Sequence, residues 1–368
     1  MTPIRIGIVG AGGIVRDRHM PGLRAIDGVS VVAVCNQTKE SGEWFAREYS
    51  VPNVYTDWRE LVTSSEVDAV LIGTHPVMHC PVTVAALDAG KHVFCQARMA
   101  MNAHEAQTML DAARKHPELV TMLCPAPTGI RGDWQIQKLL EDGYIGEPYA
   151  IHVSALSNTW IDPNTPFHWR IDPKRSGVNT LNVGLYVEWV HRWFGPTRRI
   201  SSQIKTVIPE RRDPTSGDMR VIEYPDTVLI HGEMESGAVV SYEFSGVHHG
   251  APESTITVYG SDGMLRYHVA GEMIVGARNE DEPSPIDVPD ELVRHWHVEA
   301  EWIAAIRGEN LDEDPFGRSN PTFEDGLRYM DVTEAVYHSA ETGRTIDLPL
   351  RDELRRNTPA IGRYGTCT

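Results

Sequence analysis

Six residues near the start of the chain, Gly10-Ala11-Gly12-Gly13-Ile14-Val15, are of the type and spacing that can hold a pyrophosphate. They follow an apolar run at residues 4–9 and precede a helix-like stretch, so backbone N–H groups and a helix N-terminus face one anion. Gly10 permits the tight turn and Gly12 the close approach of the phosphates, with Gly13 and Ile14 completing the loop. Val15 stands where the dinucleotide fingerprint carries its third glycine. The second strand should end in an acid that bonds the adenosine ribose, and here the chain reads Cys35-Asn36-Gln37-Thr38-Lys39. Asn36 can still bond a ribose, whereas Thr38 and Lys39 could meet a 2′-phosphate. The lack of an arginine there favours NAD, with NADP as the alternative.

Other reactive side chains form no obvious constellation. The 16 histidines include His248-His249, which alternate faces on a strand end, and His295 with Glu299, which would share a helix face. Neither makes three ligands, so no metal is expected. The five cysteines, Cys35, Cys80, Cys95, Cys124 and Cys367, show no zinc-like spacing and read as reduced thiols of a cytoplasmic protein. A net charge of −17 without a basic run argues against nucleic acid and anionic membranes. No apolar run approaches the ~18 residues of a membrane span, and the N-terminal segment enters a strand pattern directly.

The elements that must position these residues follow from periodicity. Apolar runs at 4–9, 30–35, 68–73, 91–95 and 119–124 alternate with helix-like segments near 18–26, 41–49, 80–89 and 103–115. Continuous apolar strands between helices mean a parallel sheet covered on both faces. After Pro125 the texture changes. A helix over 131–142 is followed by alternating strands at 149–156, 199–207, 227–235, 238–245, 254–259 and 263–269, then helices over 291–307 and 323–341. Residues 278–290 and 309–322 read as polar, Pro-rich loops. For 368 residues with 41% hydrophobic and 23% charged side chains, two domains fit. The reading is an α/β fold: a Rossmann domain over 1–125 and, over 126–368, an α/β domain with a large, mostly antiparallel open sheet for substrate binding and oligomerisation.

The chain resembles the glucose-fructose oxidoreductase / inositol dehydrogenase / rhizopine-catabolism (Gfo/Idh/MocA) family. The likeness is carried by GIVGAGGI, Ala86-Leu87-Asp88-Ala89-Gly90-Lys91-His92-Val93, Gly146-Glu147-Pro148, Trp169-Arg170-Ile171-Asp172-Pro173 and the closing run from Phe323. It implies hydride transfer to or from a small polyhydroxy substrate in a homodimer or homotetramer. It also implies that Thr74, His75, His79 and Gln96 meet the cofactor, and that Trp169 and Arg170 meet the substrate. Two motifs depart from the family pattern. Where Glu-Lys-Pro is usual the chain reads Gln96-Ala97-Arg98, and where Asp-x-Gly-x-His is usual it reads Asn182-Val183-Gly184-Leu185-Tyr186.

Alcohol oxidation needs a proton acceptor, and Ala97 and Asn182 are none. Arg98 stays protonated and suits a carboxylate or a developing alkoxide instead. The role shifts to Tyr186, whose pKa would have to fall beside Arg98, or to His79, His168 or His248. The expected site is therefore Tyr186, Arg98, His168 and Asn182 for chemistry, with Arg98, Trp169, Arg170 and Tyr186 on substrate. The expected activity is that of an NAD(P)-dependent dehydrogenase of a sugar or sugar acid, a carboxylated substrate being favoured and an oxidoisomerase of the D-apionate type a variant. The alternatives are a non-catalytic NAD(P)/sugar sensor and redox-neutral chemistry on tightly bound NAD.

Overall fold

A computed structural model describes residues 3–125, 131–309 and 320–359. The chain divides into two compact units, one of residues 1–125 with 297–327, the other of 126–296 with 328–368. The first unit thus takes in a late segment, 297–327, that the sequence reading had placed in the second domain. Cys367 and most of the expected 309–322 loop lie outside the described residues.

The first unit is built on six parallel strands: β1 (Ile4–Val9), β2 (Val29–Cys35), β3 (Asn53–Tyr55), β4 (Ala69–Ile72), β5 (His92–Cys95) and β6 (Thr121–Leu123). Their order is β3-β2-β1-β4-β5-β6, the doubly wound arrangement whose ligands bind outside the carboxyl ends of the strands. β4 is buried at all its residues, as a strand covered on both faces must be. The helices between them are α1 (Met20–Arg24, preceded by a π-helical turn Val15–His19), α2 (Lys39–Tyr49), α3 (Trp58–Thr63), α4 (His79–Asp88) and α5 (Ala103–Lys115). Side-chain caps start three of them. Thr38 accepts from Ser41 N at 3.2 Å, Asp57 from Arg59 N at 2.9 Å and Asn102 from Glu105 N at 2.8 Å.

The second unit opens with α6 (Asp133–Glu141), β7 (Pro148–Leu156), α7 (Pro173–Ser176) and α8 (Val183–Phe194). Strands β8 (Thr197–Lys205), β11 (Thr227–Met234), β12 (Val239–Ser245), β13 (Glu253–Gly260), β14 (Gly263–His268), β15 (Met273–Arg278) and β16 (Ser284–Ile286) follow, and β9 (Glu210–Arg212) with β10 (Met219–Val221) forms a separate hairpin. After α9 (Val298–Arg307) of the first unit and α10 (Phe323–Thr342) come β17 (Ile346–Asp347) and α11 (Asp352–Arg356). The nine-stranded sheet runs β16-β15-β14-β13-β7-β12-β11-β8-β17. Every neighbour is antiparallel except β7 and β12, which run parallel. β12 alternates buried and open residues, the mark of a sheet with one packed face.

The expected helix over 291–307 starts only at Val298. Arg294 is tied instead to α6, its Nη1 2.6 Å from Asp133 Oδ2 and its backbone N–H on Arg131 O. His295 therefore lies outside α9 and shares no helix face with Glu299. Likewise the 278–290 loop contains β16. Among the described residues no helix is long and apolar enough to cross a membrane.

Candidate active site

Gly10 adopts φ +85°, and the turn it begins is closed by Asn36, whose Oδ1 accepts from Ala11 N at 2.6 Å. Asn36 thus braces the phosphate turn from the end of β2. A Cβ on Gly10 would meet Thr74 N at 2.8 Å, and one on Gly73 would lie 2.4 Å from both Gly10 O and a Val15 methyl. The third fingerprint glycine allows a helix to pack closely on a strand. Here fully buried Val15 occupies that position, and the missing volume is recovered by Gly73, directly after β4. Gly12 faces open space, with Gly73 O the nearest atom to its missing Cβ at 3.9 Å, as close approach of a pyrophosphate requires. Gly13 and Ile14 are half-buried around it. The cradle fits a dinucleotide. Gly73 was missed in the sequence, although a valine in the third glycine's place is itself a signal to look for a glycine opposite.

Other expected cofactor residues take different places. The Thr38 hydroxyl caps α2, and Lys39 pairs with Glu43 at 3.7 Å on the surface. Thr74 lies against Gly10 with its Oγ1 buried and without a hydrogen-bond partner among the described residues, and His75 begins a short 3₁₀ turn (Pro76–Met78). His79 is fully buried, which corrects its assignment to direct cofactor contact. Its Nδ1 lies 2.9 Å from Arg98 O and its Nε2 3.1 Å from Thr74 O, so it clamps the loops after β4 and β5 together. Burial pushes its pKa down to about 4 despite those carbonyls. Such an imidazole is no general base. Gln96 and Arg98 follow β5 at the carboxyl end of the sheet, 8% and 6% exposed, and the Ala97–Arg98 peptide is cis.

In the second unit the loops after β7, before α8 and after β12 come together. Ser157 N donates to Ser245 O at 2.8 Å, Trp160 N to Gly246 O at 2.7 Å and His248 N to Ser157 O at 2.9 Å. A Cβ on Gly246 would collide with the Trp160 ring and touch Leu181. Leu181 and Asn182 hold φ +45° and +62° at the start of α8, a left-handed pair that a leucine adopts only under tertiary constraint. The His168 ring lies 6.0 Å from Trp160 and 5.5 Å from Trp169, and the Arg170 guanidinium sits 4.5 Å over Trp169. His168, Trp169, Arg170, Asn182 and His248 are thereby linked through Trp160, Leu181 and Gly246, three residues that sequence reasoning missed.

Tyr186 stands apart from the chemistry expected of it. Its hydroxyl is 2.6 Å from Ser254 Oγ, and its ring packs edge-on against Trp189 and Phe244. Burial raises its pKa, with the Ser254 bond opposing, so the fall that a proton acceptor needs is not there. Its companion Asn182 is solvent-exposed. His168 has its pKa lowered by desolvation and then by the Arg170 charge, but its Nδ1 already accepts from Arg170 N at 3.2 Å. A neutral imidazole bonded in this way carries its proton on Nε2 and can only donate there. Among the described residues no group of three or more His, Cys, Asp or Glu side chains is placed to hold a metal ion.

Residues 4–123 match the sequence model of the oxidoreductase family with an NAD-binding Rossmann fold, and residues 134–266 match the GFO/IDH/MocA C-terminal domain. The chain is 24% identical over 335 residues to levoglucosan dehydrogenase of Pseudarthrobacter phenanthrenivorans, covering 83% of this chain and 86% of the relative. It is 24% identical over 374 residues to D-apiose dehydrogenase of Paraburkholderia graminis, covering 96% and 91%. A levoglucosan dehydrogenase solved with NADH and L-sorbose superposes with a TM-score of 0.81 at 21% identity, over 95% of this chain and 100% of that one, which bears on the fold. The glycine cradle, the strand order and both family matches agree: this chain belongs to the Gfo/Idh/MocA family of NAD-dependent oxidoreductases.

Proposed function

We propose that the protein is an NAD-dependent dehydrogenase that moves a hydride between the nicotinamide and a hydroxyl-bearing carbon of a sugar or sugar acid. The observation that carries this reading is the cradle of Gly10, Gly12 and Gly73 braced by Asn36 at the carboxyl end of the parallel sheet. NAD, when bound there, supplies the hydride acceptor. Gly10–Ile14 and Asn36 hold its phosphates and ribose, and Gln96 lies at the strand end beyond them. Oxidising a CH–OH group releases a hydride from carbon and a proton from oxygen, so a base must take the proton.

His248 takes that role in this reading. Of the candidate imidazoles, His79 is enclosed by carbonyls and His168 has its acceptor nitrogen engaged, while the His248 ring has no hydrogen bond among the described residues. His168 Nε2–H then serves as a donor to a substrate hydroxyl, and Trp169 with Arg170 lines the same loop. Arg98 is the basis for favouring a carboxylated substrate in this reading, because a guanidinium binds a carboxylate bidentately. Relatives named for levoglucosan and D-apiose support the polyhydroxy class.

The test is absorbance at 340 nm with NAD⁺ or NADP⁺ against a panel of sugars, polyols and aldonic acids. Reduction with an acid and not with its neutral analogue supports the carboxylate preference. Silence across the panel, with NADH binding seen by calorimetry, overturns the dehydrogenase reading. A preference for NADP⁺ would instead assign Thr38 and Lys39 to a 2′-phosphate.

A further inference from the structure

The cofactor unit contains a buried polar chain that the reaction as described does not use. His19, at the end of the π-helical turn before α1, is fully buried. Its Nδ1 bonds Glu299 Oε1 of α9, and its Nε2 meets Gln96 Nε2 at the end of β5. Glu299 is 2% exposed. The fold makes room for its carboxylate, since a Cβ on Gly22 of α1 would lie 2.4 Å from Glu299 Oε2. Aromatic packing fixes both ends. The Phe94 ring of β5 meets His19 edge-on at 5.2 Å and Trp302 of α9 at 5.4 Å.

Donor counting gives the chain a direction. A carboxylate only accepts, so His19 carries its proton on Nδ1 and donates it to Glu299. The Gln96 amide nitrogen lies against Nε2, and an amide nitrogen only donates, so Nε2 is an acceptor and His19 is the neutral Nδ1–H tautomer. The amide oxygen is left as the end turned elsewhere. Without His19 the amide keeps its bond with the Cys124 thiol, a weak partner, and its orientation is less firmly set.

We propose that Glu299 and His19 are positioning residues that fix which end of the Gln96 amide is presented to the nicotinamide end of the cofactor. Neither needs to touch the cofactor to do so. The proposal rests on NAD binding in the Rossmann unit and deepens it, because it separates the nicotinamide half of the site from the adenosine half. A buried polar triad kept only for stability would have no such directional effect.

ADP-ribose, which lacks the nicotinamide, makes the distinction measurable. His19→Asn keeps a donor toward Glu299 and removes the nitrogen that faces Gln96. The expected result is NADH binding weakened about three- to tenfold, the size of one hydrogen bond, with ADP-ribose binding changed less than twofold. Equal weakening of both ligands would overturn the proposal in favour of a structural role, and so would no change in either. Wild-type protein that binds ADP-ribose and NADH with the same affinity would overturn it too, while leaving the adenosine site and the Rossmann assignment intact. Gln96→Ala provides a second route should His19→Asn fold poorly. It should reproduce the same split, and His19→Asn should add nothing to it in the Gln96→Ala background. Additive effects in that double-mutant cycle would show that His19 acts by another path.

Discussion

A histidine accepts a proton from substrate only through a ring nitrogen whose lone pair is not already committed, and this criterion divides the three imidazoles here. His79 is fully buried between the Thr74 and Arg98 carbonyls, out of a substrate's reach, and His168 spends its Nδ1 lone pair on Arg170 N, which leaves His248 of the three. Replacing His248 with Phe is therefore expected to lower kcat by a factor of roughly 10² or more with KM changed little. His168→Phe should act mainly on KM, because a donor to a substrate hydroxyl contributes to binding. Steady-state kinetics on the first substrate found by the 340 nm panel checks both, and a fully active His248→Phe enzyme removes His248 from proton transfer. Tyr186 supplies the contrast. Its hydroxyl is buried on Ser254 with its pKa raised, so Tyr186→Phe should cost about 1 kcal/mol of stability and less than tenfold in turnover. A loss near 10³ in that variant would return Tyr186 to the acid–base chemistry. Its position in the motif had suggested that role; the burial that denies it comes from Phe244 and Ser254, which no local pattern connects to residue 186.

At the scale of elements, the phosphate turn works because β1, β4 and the first helical turn approach each other with almost no side chain between them. Gly73→Ala places a methyl 2.4 Å from Gly10 O and from Val15. Overpacking of this kind costs about 1–3 kcal/mol, and the backbone that shifts is the turn proposed to hold the pyrophosphate. NADH affinity measured by fluorescence should fall at least tenfold. Adding Val15→Ala should recover only part of it, since the Gly10 carbonyl remains in the way, and full recovery would mean that the Val15 contact alone sets the geometry. The turn itself was legible because glycine spacing, a preceding apolar run and a following helix are all local. So were β1 and α5, which match the periodic segments at 4–9 and 103–115. β3 and α3 were not: three half-buried residues and a two-turn helix carry too little periodicity. Least legible was the link of His19 to Glu299, 280 positions apart, where one buried imidazole and one buried carboxylate each look unremarkable alone.

Stability against pH belongs to the whole molecule, and its sign follows from which protons the folded chain refuses. His79 titrates near 4 when folded and near its ordinary value of 6.5 when unfolded, so between those values the unfolded chain binds the extra proton. Its contribution is present at neutral pH and is lost as pH falls from about 6.5 to about 4. At ~1.4 kcal/mol per unit this amounts to about 3 kcal/mol. Glu105, Glu188, Asp226 and Asp331 pull the other way. Burial raises their pKa values, so the folded chain holds their protons more tightly and their contribution declines as pH rises out of the ordinary carboxylate range. The acid limb of wild-type protein is thus a difference of opposed terms, and a single curve would not separate them. Comparison with His79→Leu does, because the carboxylates are common to both proteins. Urea midpoints taken at half-unit steps from pH 7 to 4 should show wild type starting above the variant, with the gap closing by up to about 3 kcal/mol toward pH 4. Parallel curves would mean that His79 keeps the same protons folded and unfolded, and that the clamp between the Thr74 and Arg98 carbonyls holds an imidazolium rather than the neutral ring its burial demands.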